Sequence, residues 1–239
     1  MKYNTFERLF SHERMDRYLQ ACSGDTRKAM TLYRYNLQLS QQMFTIICCF
    51  EVILRNAIND KLVCTLGGEW LKDSIMPGGR FCIPATQKDF SNISRAFNNL
   101  KEARQYTHSK LLASMDFGFW KYMFSPTQFR LTGSVLLGIF PKKERSTPQR
   151  QYNHSYIFNE LDKINTMRNR IAHHEPICFY LQDATICTTH VLNEYQKIQK
   201  LFMWMNVDSQ ALLYGLDHVQ QICNKINELK SIQRLNPPV

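Results

Sequence analysis

The densest run of reactive side chains is the string INTMRNRIAHHEPI at positions 164–177. Within it, His173 carries an imidazole whose ordinary pKa of about 6.5 lets it hold or release a proton near neutral pH. Five residues earlier, Arg168 carries a planar, permanently charged guanidinium that can bind a phosphate through two donors at once. Asn169 stands one helical turn before His173 and is placed to orient the imidazole or a bound anion. Plainer roles exist for each residue. A histidine at a helix C-terminus interacts favourably with the helix dipole, and Glu175, just before Pro176, reads as a helix-end residue. His174 points about 100° away from His173 and so does not share its face. A zinc site from His173, His174 and Glu175 is disfavoured because consecutive helical side chains diverge.

The helix that must carry these groups has Ile157, Leu161, Ile164 and Ile171 on one seam, with Arg168 at the skipped step. Asp162, Thr166, Asn169 and His173 fall within about 40° of one another on a separate polar stripe. Arg168 and His173 are then about 140° apart, so one site can use both only near a helix end or at an interface that wraps the helix. A second helix raises a parallel question. Phe44, Ile47, Leu54 and Ile58 form one apolar stripe with Glu51 at its missing step, and Met43, Ile46, Phe50, Ile53 and Ala57 form another. Glu51 and Arg55, four residues apart, are the formal charges between Met43 and Ile58. A carboxylate on a buried stripe needs a cationic or hydrogen-bonding partner, which predicts a Glu51 pair with Arg55 or with Arg168.

The string RNRIAHHEP, with its Arg-x4-His spacing, resembles the signature of the HEPN superfamily of helical RNases and, more narrowly, its Abi-like abortive-infection branch. FEVILRNAI at 50–58 resembles that branch's upstream Glu-x-x-x-Arg helix, FGFWKYMF at 117–124 its aromatic segment, and LGIFP at 137–141 the strip that follows. The resemblance is strongest over about residues 30–180. It implies metal-independent RNA cleavage by a homodimer whose paired motifs meet at one cleft, in bacterial defence against phage; an antitoxin or regulatory RNA is a candidate further partner. In that chemistry RNA supplies its own nucleophile. Removing the 2′-OH proton lets that oxygen attack the adjacent phosphorus and expel the 5′-oxygen. The resemblance assigns proton transfer to His173 and charge stabilisation to Arg168, with Asn169, His174, Glu51 and Arg55 in support and no cofactor. The rival is a catalytically silent helical protein that binds RNA or a partner with the same basic cleft.

Composition frames these readings. The chain has 239 residues, 44% hydrophobic and 21% charged, which excludes a disordered or low-complexity protein. Thirty Lys and Arg against twenty Asp and Glu give a net charge of +10, which suits a polyanion or an anionic membrane surface. Lys142, Lys143, Arg145 and Arg150 cluster before the motif helix and, with Arg170, are candidates to hold an RNA backbone. The aromatic residues Phe117, Phe119, Trp120, Tyr122 and Phe124 read as core more readily than as a stacking platform. Eight cysteines without a CxxC pair read as buried thiols. The charged start MKYNTFERLF lacks the apolar core of a secretory signal, and Met43 to Leu54 is shorter than the ~20 residues of a bilayer crossing, which predicts a cytoplasmic protein with no membrane partner.

Glycine and proline divide the chain into helical stretches: 25–66, a segment opened by Pro84 and Thr86 and running to Thr107, shorter helices to Pro141, then 148–175. C-terminal helices follow over 184–232, from Ala184 to Met205 and from Ser209 to Ile232, with a strand-like run at Ile177 to Leu181. The expectation is one all-α, HEPN-like helical domain over 1–239 with long central helices.

Overall fold

The computed structural model describes residues 1–180 and 183–235. In chain order its helices are α1 (Tyr3–Phe10), α2 (His12–Ala21), α3 (Thr26–Leu66), α4 (Trp70–Asp73), α5 (Gln87–Glu102), α6 (His108–Ala113), α7 (Phe117–Tyr122), α8 (Pro126–Leu131), α9 (His154–Ala172), α10 (Thr189–Trp204), α11 (Ser209–Leu212) and α12 (Val219–Leu235). Pairing of the extended kind is confined, among the described residues, to one antiparallel bridge between Phe179 and Ile186. The strand-like run is therefore a bridge residue and its neighbours, and Leu181 at its end lies outside the described residues.

The longest helix follows from its caps and its apolar periodicity. Asp25 Oδ1 accepts from the backbone N–H of Arg27 and of Lys28, both at 3.0 Å, satisfying donors that a helix start leaves open. Gly67, at φ +100°, stops the helix as the Gly67-Gly68 pair predicts. Leu39, Met43, Ile46, Ile47, Phe50, Leu54, Ile58 and Leu62 are fully buried. Phe44 is not on that face: it is 38% exposed, and Met43 and Ile46 occupy the buried positions instead. Ile53 and Ala57 are only half-buried. The 41-residue α3 also contains an 18-residue window of mean hydropathy 1.4, long and apolar enough by length and composition to cross a membrane. That window is longer than the run from Met43 to Leu54 that the sequence pattern picks out. A third of that window is buried in the structure, and the eight residues above form the buried face of the helix.

Several element ends differ from the sequence expectation, each for a local reason. α5 stops at Glu102 because Arg104 turns left-handed at φ +53° and Gln105 N–H bonds Leu100 O at 2.9 Å, a helix-terminating pattern. α9 starts at His154, where Asn153 Oδ1 caps Tyr156 N–H at 3.0 Å, rather than at Pro148. The 209–232 stretch is split by Gly215 at φ +72° into α11 and α12. Two N-terminal helices, α1 and α2, precede the stretches that glycine and proline delimit. Of the cysteines, Cys22, Cys178 and Cys223 are buried, whereas Cys64 and Cys82 are exposed, which corrects the uniform reading as buried thiols.

The chain forms two compact units. The first comprises Met1–Cys48, Thr166–Gln199 and Ser209–Val239, and the second Cys49–Asn165 and Lys200–Asp208. In the first, Tyr18 and Phe179 meet edge to face at 4.9 Å, and Phe6, Phe10 and Tyr33 form an aromatic cluster. Asn36, 4% exposed, reaches from α3 to the chain after α9: its Oδ1 accepts from Ile177 N–H at 2.8 Å and Cys178 N–H at 3.2 Å. In the second, Phe50 packs on Phe117 and Phe202, and Phe124 on Phe140. Lys121, 7% exposed, is neutralised by Asp162 at 2.7 Å.

Asn36→Ala would strand two buried donors, each costing about 1–3 kcal/mol, so the melting temperature should fall by several degrees. Thermal melting checks this; an unchanged midpoint would show that water replaces the amide.

Candidate functional site

α9 brings the motif to its end by the pattern of its buried face. Ile157, Leu161 and Ile164 are fully buried and Ile171 is 9% exposed, as their spacing predicts. The skipped step is taken by Met167 at 3% exposed, and Arg168, placed on that seam by the sequence pattern, is only half-buried at its margin. The reason is chemical: a thioether fills the core position at no desolvation cost, while a guanidinium moves out until its head meets water. The polar stripe is observed as expected, with Asp162, Thr166, Asn169 and His173 all exposed.

The last turn of α9 is closed by His174. His173 N–H bonds Asn169 O at 2.9 Å, extending the helix by one bond. His174 then adopts φ +57°, and the N–H groups of His174 and Glu175 return to Ile171 O (3.0 Å) and Arg170 O (2.9 Å). This pair of reversed bonds is the Schellman closure, usually built on glycine because a side chain in the left-handed region costs about 1–2 kcal/mol. Two arginine side chains hold the turn through three bonds. Arg14 Nη1 donates to His174 O at 2.8 Å, Arg170 Nη2 to Pro176 O at 2.8 Å, and Arg170 Nε to Glu175 Oε2 at 3.2 Å. Arg170, a candidate for holding an RNA backbone, is bonded into the turn with its side chain 15% exposed.

The functional groups stand on that frame. Both histidine side chains are exposed, and among the described residues the His173 ring has no hydrogen-bond partner. Arg168 Nη1 lies 3.5 Å from Asn169 Oδ1, a long contact that leaves most of its donors open. Arg168, Asn169 and His173 thus share the accessible end of one helix within the first unit. Behind the turn, His190 is pushed down to about 4, chiefly by burial and then by the charge of Arg170. Its ring is in the neutral form at neutral pH.

The other candidate residues belong to the second unit. Glu51 and Arg55 are half-buried, and Arg55 Nε donates to Asn56 Oδ1 at 3.3 Å. Lys142, Arg145 and Arg150 are exposed and Lys143 half-buried. Arg150 stands over the rings of Tyr152 and Tyr156, at 5.2 Å and 5.5 Å from their centroids, and Nη2 donates to Tyr156 Oη at 3.3 Å. Phe117, Phe119, Trp120 and Phe124 are core residues, while Tyr122 is 38% exposed beside Lys121.

Sequence reasoning missed Arg14 and Asn36, which hold the turn, and a groove of about 380 Å³ beside it, lined in part by Phe10, Tyr33, Leu37 and His174. The available signal lay in α3, where Tyr33, Asn36, Leu37 and Ser40 recur at helical spacing on one face.

The sequence profile of the Abi-like protein family matches residues 2–178. No curated protein and no solved structure matches the chain.

Two outcomes follow from the turn. His174→Gly should raise stability by up to about 1 kcal/mol, since glycine takes the left-handed conformation without a Cβ clash; a lower denaturant midpoint would show that the imidazole itself is needed. The second concerns His190, whose folded pKa of about 4 lies below its ordinary 6.5, so the unfolded chain takes up the proton first. Its contribution is complete above pH 6.5 and lost as pH falls toward 4. His190→Gln should flatten the acid limb of stability against pH in that window, measured by chemical denaturation.

Proposed function

Since the chain belongs to the Abi-like protein family, we propose that it is a HEPN-type endoribonuclease of bacterial anti-phage defence, cleaving RNA without a metal through Arg168 and His173. The observation that carries this reading is the exposed, unpartnered imidazole of His173 at the end of α9, with Asn169 one turn before it and Arg168 beside Asn169. An imidazole with both nitrogens open can exchange protons with a substrate, and a guanidinium with free donors can bind the phosphate.

In the proposed reaction, one His173 takes the proton of the 2′-OH as that oxygen forms a bond to the neighbouring phosphorus. The bond from phosphorus to the 5′-oxygen breaks, and a protonated imidazole returns a proton to that oxygen. The products are a 2′,3′-cyclic phosphate and a 5′-hydroxyl. Arg168 stabilises the negative charge that accumulates on the phosphoryl oxygens. Base and acid are needed together, and each chain has one His173, so a symmetric homodimer supplies both. Lys142, Lys143, Arg145 and Arg150 serve as sequence-independent backbone contacts. An antitoxin or regulatory RNA would restrain the enzyme until infection.

The test is RNA incubated with pure protein in excess EDTA, with the ends of the products mapped. Cyclic phosphate ends are expected, a single 2′-deoxy substitution should block its site, and His173→Ala should lose about 10²–10⁴-fold in rate while staying folded. Retarded but intact RNA would assign binding rather than catalysis, and a requirement for Mg²⁺ would assign another mechanism. Under verified subunit exchange, an equal mixture of wild type and His173→Ala should keep roughly a quarter of full activity if each site needs both histidines, against roughly half for independent sites.

A further inference from the structure

The groove beside the α9 turn is a built concavity with an unusual lining. Its volume of about 380 Å³ is at the small end of the range of roughly 300–1,000 Å³ common for ligand pockets. Leu9 and Phe10 from α1 and Leu37 from α3 line it, and they are 61%, 37% and 48% exposed. Apolar side chains gathered at a concave surface mark a binding site more often than a random exposure. Phe10 is held from behind, its ring centroid 4.6 Å from that of Tyr33 and 4.8 Å from that of Phe6, so the remaining exposed part is a supported aromatic surface.

Two polar groups give the groove its chemistry. Asn36 lines it, and because its Oδ1 accepts from both Ile177 and Cys178 N–H, the amide orientation is fixed by the backbone and Nδ2 holds its remaining donors. Arg14 lines it too, with Nη1 tied to His174 O at 2.8 Å and the rest of its donors available to an anion. The groove therefore offers an aromatic surface, a fixed amide donor and a permanent positive charge. His174, on its wall, adjoins His173 in the chain.

We infer that this groove receives one unpaired nucleobase of RNA, stacked on Phe10 and hydrogen-bonded through Asn36, with Arg14 on the attached phosphate. A flat heteroaromatic ring with acceptor edges and a flanking anion matches all three groups, whereas an aliphatic peptide anchor would leave Asn36 and Arg14 without partners. The inference rests on the reading of this chain as an RNA-acting protein. It adds that selection among RNA sites depends on an unstacked base beside the reacting phosphate, so that duplex RNA is a poor substrate.

The experiment uses the full chain and a fully 2′-O-methylated, single-stranded oligonucleotide, which cannot be cleaved, with 2-aminopurine placed at each position in turn. Stacking on Phe10 should quench its emission at one position. Phe10→Leu, which removes the ring and keeps apolar volume, should abolish the quench at that position, and Leu37→Gln, which puts a polar group on the apolar wall of the groove, should weaken it. Affinity should fall roughly five- to a hundredfold with loss of one stacked base. Two independent variants guard against misfolding of one, checked by melting. No position-specific quench by the wild type, or the same quench in both variants, overturns the inference. Loss of a dimer by light scattering in the Leu37→Gln protein, with quenching unchanged, assigns the groove to a second copy and also overturns it. Cleavage of unmodified RNA without the quench leaves the ribonuclease reading standing and this one refuted; the quench without cleavage does the reverse.

Discussion

The closure of α9 at His174 is the constraint on which the candidate site depends. A non-glycine residue at φ +57° is held there by two reversed backbone bonds and by Arg14, Arg170 and, one step further on, Asn36. The left-handed conformation costs about 1–2 kcal/mol, while hydrogen bonds to charged groups contribute about 1.5–3 kcal/mol each where they are shielded from water. The balance favours the turn because Arg170 of α9 is joined by partners from two other elements, Arg14 of α2 and Asn36 of α3, so the conformation is imposed largely from outside rather than by local preference.

That turn decides what each residue of the motif can do. His173, as the last residue with a helical hydrogen bond, stays on the polar stripe with its ring in solvent, whereas His174 is carried around to the wall of the groove. Arg170 spends its guanidinium on Glu175 and Pro176, and its charge helps keep His190 neutral. Two arginines two residues apart therefore stand in different environments: Arg170 builds the turn, and Arg168 makes one long contact to Asn169.

The second unit manages charge differently. Its interior is aromatic, with Phe50, Phe117, Trp120 and Phe124 buried, and its one deeply placed lysine, Lys121, is paired with Asp162 and faces the Phe158 ring at 5.4 Å. The basic loop before α9 stays outside, where Arg150 rests on Tyr152 and Tyr156. Resting a guanidinium on rings limits its conformational freedom.

The sequence by itself determined the helical class, the long element from Asp25 to Gly67, the buried face of α9 through Ile157, Leu161 and Ile164, and the exposed stripe that holds Asn169 and His173. These follow from short-range rules: a cap, a glycine and a repeat near 3.6 residues act within a few turns of the chain. The Abi-like resemblance was equally legible because RNRIAHHEP is contiguous. Tertiary structure alone decided that Met167 and not Arg168 fills the seam, that Phe44 faces out, that the helix ends at a left-handed histidine, and that α1 and α3 form a groove beside it. Each of those depends on groups far apart in sequence: Arg14 reaches the carbonyl of His174, and Asn36 the amides of Ile177 and Cys178. Periodicity fixes which side of a helix is buried, but which residue at the margin enters the core, and which turn closes the helix, depend on partners that only folding brings within hydrogen-bond distance.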